Sequence, residues 1–424
     1  MKKSAQIHKA LTIFAYTVML TGMTLLLAVV FRYPQNHLIP RQMIPGVGIC
    51  VIVLLAAGAL WNKIYFLIGK RTPLYLLALA IFGVLLYITS LSRQGNENTL
   101  VDYTYVYRDA MNLATGGTLE YTDYFVTYSN NLKPMLLLSV WFRVAVLLGI
   151  SPFHFVLLRN VLLVLLVVWA CGYLTEQKGD CRWRFPILLT FAFLLPLWDM
   201  VSVFYTDSMS FGLGILALAL LKKAGSTKTN KGKILWSVLA GVTTILAIIW
   251  KITAIIPLIA GAMILLWQRE KADRRVLMQY AAAAIVFGVG LQLWANTYDV
   301  TRKAAVTANP VISWVALGMK EDGSWTNNTE LVEQMYQFST KEEKQQYCVE
   351  YIRENKADFF NAEHLRKKAS YNFANGNLGA SAFLNVEQND QTLIWEMFSP
   401  WGSYYWRTSQ LCYCYLVSVY VLLW

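Results

Sequence analysis

Long apolar runs separated by short polar segments dominate the 424-residue chain. Runs of about 15 to 22 residues fall at 11–31, 43–61, 73–92, 153–174, 185–199, 207–221, 233–250, 252–268, 276–296 and 409–424. These lengths suit a hydrocarbon core of ~30 Å at 1.5 Å per residue and predict membrane-spanning helices. The first run has no small-residue cleavage site and more spans follow, so it reads as an anchor and not as a cleaved leader. The last stops at Trp424 without a polar flank, as if the C-terminus were cut short. Between 297 and 408 the pattern turns polar with helical signals. Thr340 precedes Glu342 and Glu343 as an N-cap, with Tyr347, Tyr351 and Phe359 behind it, and a further helix is expected over 362–375.

One stretch, 134–150, decides the sidedness of everything after it. If it does not cross and the N-terminus is cytoplasmic, the segments 1–10, 62–72, 175–184, 222–233 and 269–275 share the cytoplasmic face. They hold 18 of the 37 basic residues but only four acids: Glu176, Asp180, Glu270 and Asp273. Were 134–150 a span, the acid-free run Lys222, Lys223, Lys228, Lys231, Lys233 would lie outside, against the positive-inside rule. With Arg143 in mid-run, 134–150 therefore reads as a helix lying in the outer interface. The chain divides into N-terminal spans (1–92), an outer loop with its interfacial helix (93–152), a transmembrane core (153–296), an outer loop domain (297–408) and a final span (409–424).

Composition agrees with a polytopic all-α membrane protein. Hydrophobic residues make up 56% and charged residues only 15%, against about 25% charged in soluble domains. The net charge of +12 follows the short segments between spans, which argues for membrane topology and against nucleic acid. The six cysteines show no zinc spacing, and Cys412 and Cys414 read as packing residues. Asn327-Asn328-Thr329 fits a glycosylation pattern by chance.

Candidate chemistry gathers in the segments predicted to face outward. Asp102 and Asp109 lie in a tyrosine-rich helical stretch with Tyr103 and Tyr105, ending at Gly116-Gly117. A carboxylate there can take a proton from an acceptor hydroxyl, although the same stretch also fits a solvated interfacial loop. Asp207 follows Tyr205 at the opening of a span, where it could serve chemistry or simply cap the helix. Lys251 sits at a tight turn between two runs and could snorkel or hold a phosphate. Arg159 lies inside a span and calls for an anionic partner. Lys133 and Arg143 add positive charge on the same face.

The order of these features resembles the GT-C superfamily of polytopic glycosyltransferases, which use polyprenyl-phosphate-linked sugars. Asp102 with YxxVYRDAxxLATGG is similar to the family's first acidic motif, and YFVTYSNNLKP (124–134), containing Asn130 and Asn131, to the segment before its interfacial helix. FYTDSMSF (204–211) is similar to the second acidic motif, and IIWKITAIIP (248–257) to the lysine turn. The resemblance covers most of 90–300, and two spans precede its first loop where many members have one. It implies a GT-C-like bundle moving a sugar from a polyprenyl-phosphate donor to a glycan, lipid or protein acceptor in cell-envelope assembly. Asp102 would be the general base, Asp109 its reserve, and Asp207 an orienting group. Lys251, Arg159, Lys133 and Arg143 would hold the phosphate; Tyr103, Tyr105, Tyr205, Asn130 and Asn131 would line the substrate. No cofactor and no obligatory metal is expected. A transporter or flippase of lipid-linked glycans remains the rival class, with an assembly scaffold third. A transporter predicts repeated halves and broken helices, and the sequence pattern displays neither.

Overall fold

The computed structural model describes residues 72–91, 102–176, 180–261, 274–321, 323–324 and 328–373, with isolated positions in 13–33, 52–65 and 410–413. The expected spans 11–31, 43–61 and 409–424 and the second half of 252–268 lie outside the continuously described residues.

All described regular elements are helical. Helix α1 (Thr72–Leu91) leads to α2 (Asp102–Ala114), the short α3 (Thr122–Thr127) and α4 (Leu132–Leu147). Then come α5 (Pro152–Thr175), started by a proline whose missing N–H costs nothing in the first turn, α6 (Arg184–Phe193) and α7 (Leu195–Met200). The short α8 (Thr206–Ser210), α9 (Leu213–Ser226), α10 (Asn230–Trp250) and α11 (Arg274–Ala295) complete the bundle. Among the described residues, five segments are long and apolar enough to cross a bilayer: 72–91, 152–175, 206–226, 230–250 and 274–295. Their outward faces carry Leu77, Ile81 and Ile88 on α1 and Met278, Ile285 and Val286 on α11, all exposed.

Among the described residues, three of the segments grouped by charge, 62–72, 175–184 and 222–233, meet at one end of this bundle. Trp61 donates to the Arg182 carbonyl at 3.0 Å, and the Tyr65 hydroxyl to Asp180 at 3.0 Å. Lys222 donates to the carbonyls of Tyr173 and Leu174 at 3.0 Å, satisfying acceptors that the C-terminus of α5 leaves open. Arg184 pairs with Glu176 at 2.5 Å. Helix α4 belongs to the opposite end along its length. Asn131 at its start reaches Tyr205, while Phe142, nearly three turns on, packs edge-on against Phe204 at 6.4 Å. It lies across the bundle end.

Two expected spans are not single helices. The run 185–199 divides at Leu194, ahead of Pro196, into α6 and α7. The run 207–221 breaks at Phe211-Gly212, where Gly212 takes φ +62°. A Cβ there would stand 2.5 Å from Val167, so the break also brings α8 and α9 close to α5. The expectation of unbroken spans is thus corrected. Backbone contact is equally tight at Gly214, whose Cβ position lies 2.0 Å from the Ala254 carbonyl oxygen, and at Gly241, 2.6 Å from that of Tyr280. Small residues permit this approach between helices in a membrane, where van der Waals packing replaces the hydrophobic drive.

The polar region forms its own helical unit: α12 (Asp299–Thr307), α13 (Ile312–Leu317), α14 (Thr329–Tyr336), α15 (Lys341–Asn355) and α16 (Ala362–Phe373). The Thr340 hydroxyl accepts from the Glu343 amide at 3.2 Å while Glu343 accepts from the Thr340 amide at 3.0 Å, a reciprocal cap that fixes the start of α15. Ala316, Leu317, Leu331, Met335, Cys348 and Tyr351 form a second core. The unit is tied to the bundle end through the Asn309 amide on the Thr127 carbonyl at 3.0 Å and the hydroxyls of Tyr128 and Tyr336, 2.6 Å apart.

Candidate functional site

Asp102 opens α2 with its side chain half-buried at the bundle end. The Tyr205 hydroxyl donates to Asp102 Oδ2 at 2.9 Å and accepts from Asn131 Nδ2 at 3.3 Å. Asn131, nearly fully buried, also donates to the Tyr124 hydroxyl at 2.5 Å. Tyr105 stacks on Tyr124 with centroids 4.5 Å apart, and Tyr121 meets Tyr105 edge-on at 5.0 Å. Three stretches of chain, 102–105, 121–131 and Tyr205, therefore meet around one carboxylate. Burial, then the Asp102 charge, raises the Tyr205 hydroxyl well above its ordinary value; burial and the neighbouring Tyr205 and Asp102 do the same to Tyr124. Both phenols stay protonated and remain donors.

Asp207 lies in the first turn of α8, and Lys251 extends from the C-cap of α10 to form an ion pair with it. Both side chains are roughly half-exposed, at 47% and 42%. The Asp207 charge is felt at Tyr205, which joins the pair to the Asp102 network. Lys251 adopts extended backbone at φ −159° between α10 and a 3-10 turn over Ile252–Ile255, as the tight turn in the sequence requires.

Arg159 lies nearly two turns inside α5. No carboxylate pairs with it among the described residues; Asn160 Oδ1 accepts at 2.9 Å, the Met209 carbonyl at 3.4 Å, and its guanidinium lies 5.9 Å from the Trp141 ring centre. Neutral acceptors orient the group and, among the described residues, leave its charge uncancelled. Asn160 in turn donates to the Val201 carbonyl at 2.9 Å, binding α5 to the segment before Tyr205. Lys133 is partly buried on α4 with no partner among the described residues, and burial lowers its ammonium below the ordinary range.

Three assignments are corrected. Asp109 is fully buried, and its two oxygens accept from the amides of Glu120 at 2.8 Å and Tyr121 at 3.0 Å. It anchors the loop after Gly116-Gly117 and is closed to an acceptor; burial raises its carboxyl despite those amides. Tyr103 is 1% exposed and packs on Tyr107 at 5.6 Å, inside the core instead of lining a site. Arg143 is exposed ten residues beyond Lys133, about 15 Å along α4 at 1.5 Å per residue, and does not converge with it. Asn130 is exposed at the rim and donates to Asn131 Oδ1 at 3.1 Å.

Sequence reasoning passed over Tyr124, Asn160 and Asp199. Tyr124 lies inside a quoted motif, four residues before Tyr128, and its spacing marks it as a neighbour on one helical face. Asp199 is a fully buried acid in α7, legible as a lone charge closing an apolar run.

No curated protein and no solved structure matches the chain. Residues 43–393, most of its length, match the family model described as "Conserved hypothetical integral membrane protein", and the chain belongs to that family of integral membrane proteins.

Proposed function

We propose that the protein is a GT-C-type membrane glycosyltransferase that moves a sugar from a polyprenyl-phosphate donor to an acceptor hydroxyl at the extracytoplasmic face. Its setting is the plasma membrane, with the N-terminus cytoplasmic, and its role the assembly of cell-envelope glycans. The observation that carries this reading is a half-buried carboxylate, Asp102, oriented by Tyr205, with a half-exposed cation, Lys251, paired to Asp207 two residues after that tyrosine.

Asp102 takes the proton of the acceptor hydroxyl as its oxygen bonds to the anomeric carbon. The bond from that carbon to the phosphate oxygen breaks, and its electron pair leaves with the polyprenyl phosphate. Proton removal contributes about 10²–10⁴-fold. The leaving group needs positive charge, which Lys251, Lys133 and the uncancelled Arg159 supply at increasing depth. Asp207 holds Lys251 in place until phosphate competes for it. Tyr105 and Asn131 support the acceptor side through Tyr124.

The test is transfer by purified protein in lipid with a panel of polyprenyl-phosphate sugars, wild type beside Asp102→Asn. Release of polyprenyl phosphate by wild type alone supports the reading; equal release by both removes Asp102 as the base. The break at Gly212, three residues after the Met209 carbonyl that accepts from Arg159, favours one rival, a flippase for the same lipid-linked glycans. Donor crossing the bilayer in sealed vesicles without hydrolysis or transfer would select it.

A further inference from the structure

Helices α10 and α11 begin side by side at the bundle end where Arg184 meets Glu176. Arg275 Nη1 donates to Asn230 Oδ1 at 3.5 Å, and further along both helices the Tyr280 hydroxyl donates to the Thr244 hydroxyl at 3.2 Å, so the two spans run parallel. They open on Lys231 and Lys233 and on Arg274 and Arg275, with no acid in either first turn. Lys228 lies in the turn between α9 and α10. Lys228, Lys231, Arg274 and Arg275 are exposed, and Lys233 is partly buried.

The acids nearby are engaged elsewhere. Glu176 pairs with Arg184 at 2.5 Å and Asp180 with Arg182 at 2.6 Å. Among the described residues, no carboxylate pairs with Lys228, Lys231 or Arg274. Basic groups gathered in this way repel one another, and an anion among them relieves the repulsion. Its source follows from the setting. Both helices are spans, so their first turns lie at headgroup level. The stacked rings of Trp169 and Tyr173, 5.4 Å apart, and Trp236 on α10 suit that level. Immediately beyond the charges, Ile234, Leu235, Val238 and Leu239 of α10 and Leu277 and Met278 of α11 are exposed. A soluble anion matches the charges alone, whereas a phospholipid matches the charges with its phosphate and the apolar residues with its chains.

We propose that the turn between α9 and α10 and the start of α11 bind the phosphate headgroup of an anionic phospholipid, whose chains lie along the exposed residues of α10. The site stands apart from the Asp102 network and does not depend on transfer chemistry. Each basic residue near an anionic surface strengthens association about fivefold. Full-length protein in neutral detergent, titrated with phosphatidylglycerol or phosphatidylcholine of the same chains and read by native mass spectrometry, tests the proposal, with glycerol phosphate as the soluble anion. Phosphatidylglycerol binds at least tenfold tighter than phosphatidylcholine. The triple variant Lys228→Gln, Lys231→Gln, Arg274→Gln loses that preference, and the charge-matched triple Lys303→Gln, Lys341→Gln, Lys356→Gln on the polar unit keeps it. Equal binding of the two lipids, equal loss in both triple variants, wild-type preference in the first, or displacement of phosphatidylglycerol by equimolar glycerol phosphate overturns the proposal.

Discussion

The Tyr205 hydroxyl donates to Asp102 at 2.9 Å across 103 residues of sequence, and so joins the start of α2 to the segment opening the next broken span. Removing that donor leaves the carboxylate in place but unoriented. A hydrogen bond to a charged group contributes about 1.5–3 kcal/mol. Tyr205→Phe is expected to lower transfer roughly 10- to 100-fold while Asp102→Asn lowers it further, both read as polyprenyl-phosphate release by folded protein. Unchanged turnover in Tyr205→Phe would remove the orienting role.

Asp207 and Lys251 form a half-exposed pair, and such pairs contribute only about 0–1 kcal/mol to stability. Lys251→Ala should therefore leave the thermal midpoint within a few degrees of wild type. Donor KM rises at least tenfold in the same variant, and Lys251→Arg recovers part of the loss. A large drop in midpoint with unchanged KM would make the pair structural.

Packing separates two glycines on α9. A methyl at Gly214 collides with the Ala254 carbonyl oxygen, whereas one at Gly225 meets nothing within 4 Å. Gly214→Ala is expected to cost about 1–3 kcal/mol. Gly225→Ala, with its backbone entropy reduced, is expected to gain up to about 1 kcal/mol. Thermal melts in detergent order the variants; equal midpoints contradict the close approach.

Lys133 links stability to pH. Burial holds its folded-state value below the ordinary 10.5. The unfolded chain therefore keeps this proton after the native state has released it, so stability rises with pH through the window between the two values. Lys133→Met should be the more stable protein at pH 7, with the difference narrowing as pH approaches 10.5. Donor affinity falls in the same variant. Parallel melting curves across that range would contradict the buried charge.

Much of the bundle is legible in the sequence because an apolar run of 20 residues has one economical fate in lipid. The grouping of 62–72, 175–184 and 222–233 at one end follows from charge alone, and the contacts of Tyr65, Arg184 and Lys222 realise it. The break at Gly212 is not legible: Gly241 occupies a similarly apolar run and remains helical, and only the approach to Val167 distinguishes them. Asp102 and Asp109 stand seven residues apart, nearly on one helical face, so periodicity cannot separate them. What does is the loop that returns the amides of Glu120 and Tyr121 to Asp109. Tyr103 and Tyr105, by contrast, face opposite sides of α2, a difference that the helical period makes readable.

The reach from Asp102 to Tyr205 also sets an order of events during synthesis. At about 5–20 residues per second, 103 residues take on the order of 5–20 s, while α2 can coil within about a microsecond. The carboxylate is thus complete long before the phenol that orients it leaves the ribosome, and α5, α6 and α7 must enter the bilayer in the interval. The last of the joining hydroxyls, Tyr336, arrives another 131 residues later. The nascent chain carries an open bundle end until then, and the polar unit closes over it only after the helices from α1 to α11 have been made.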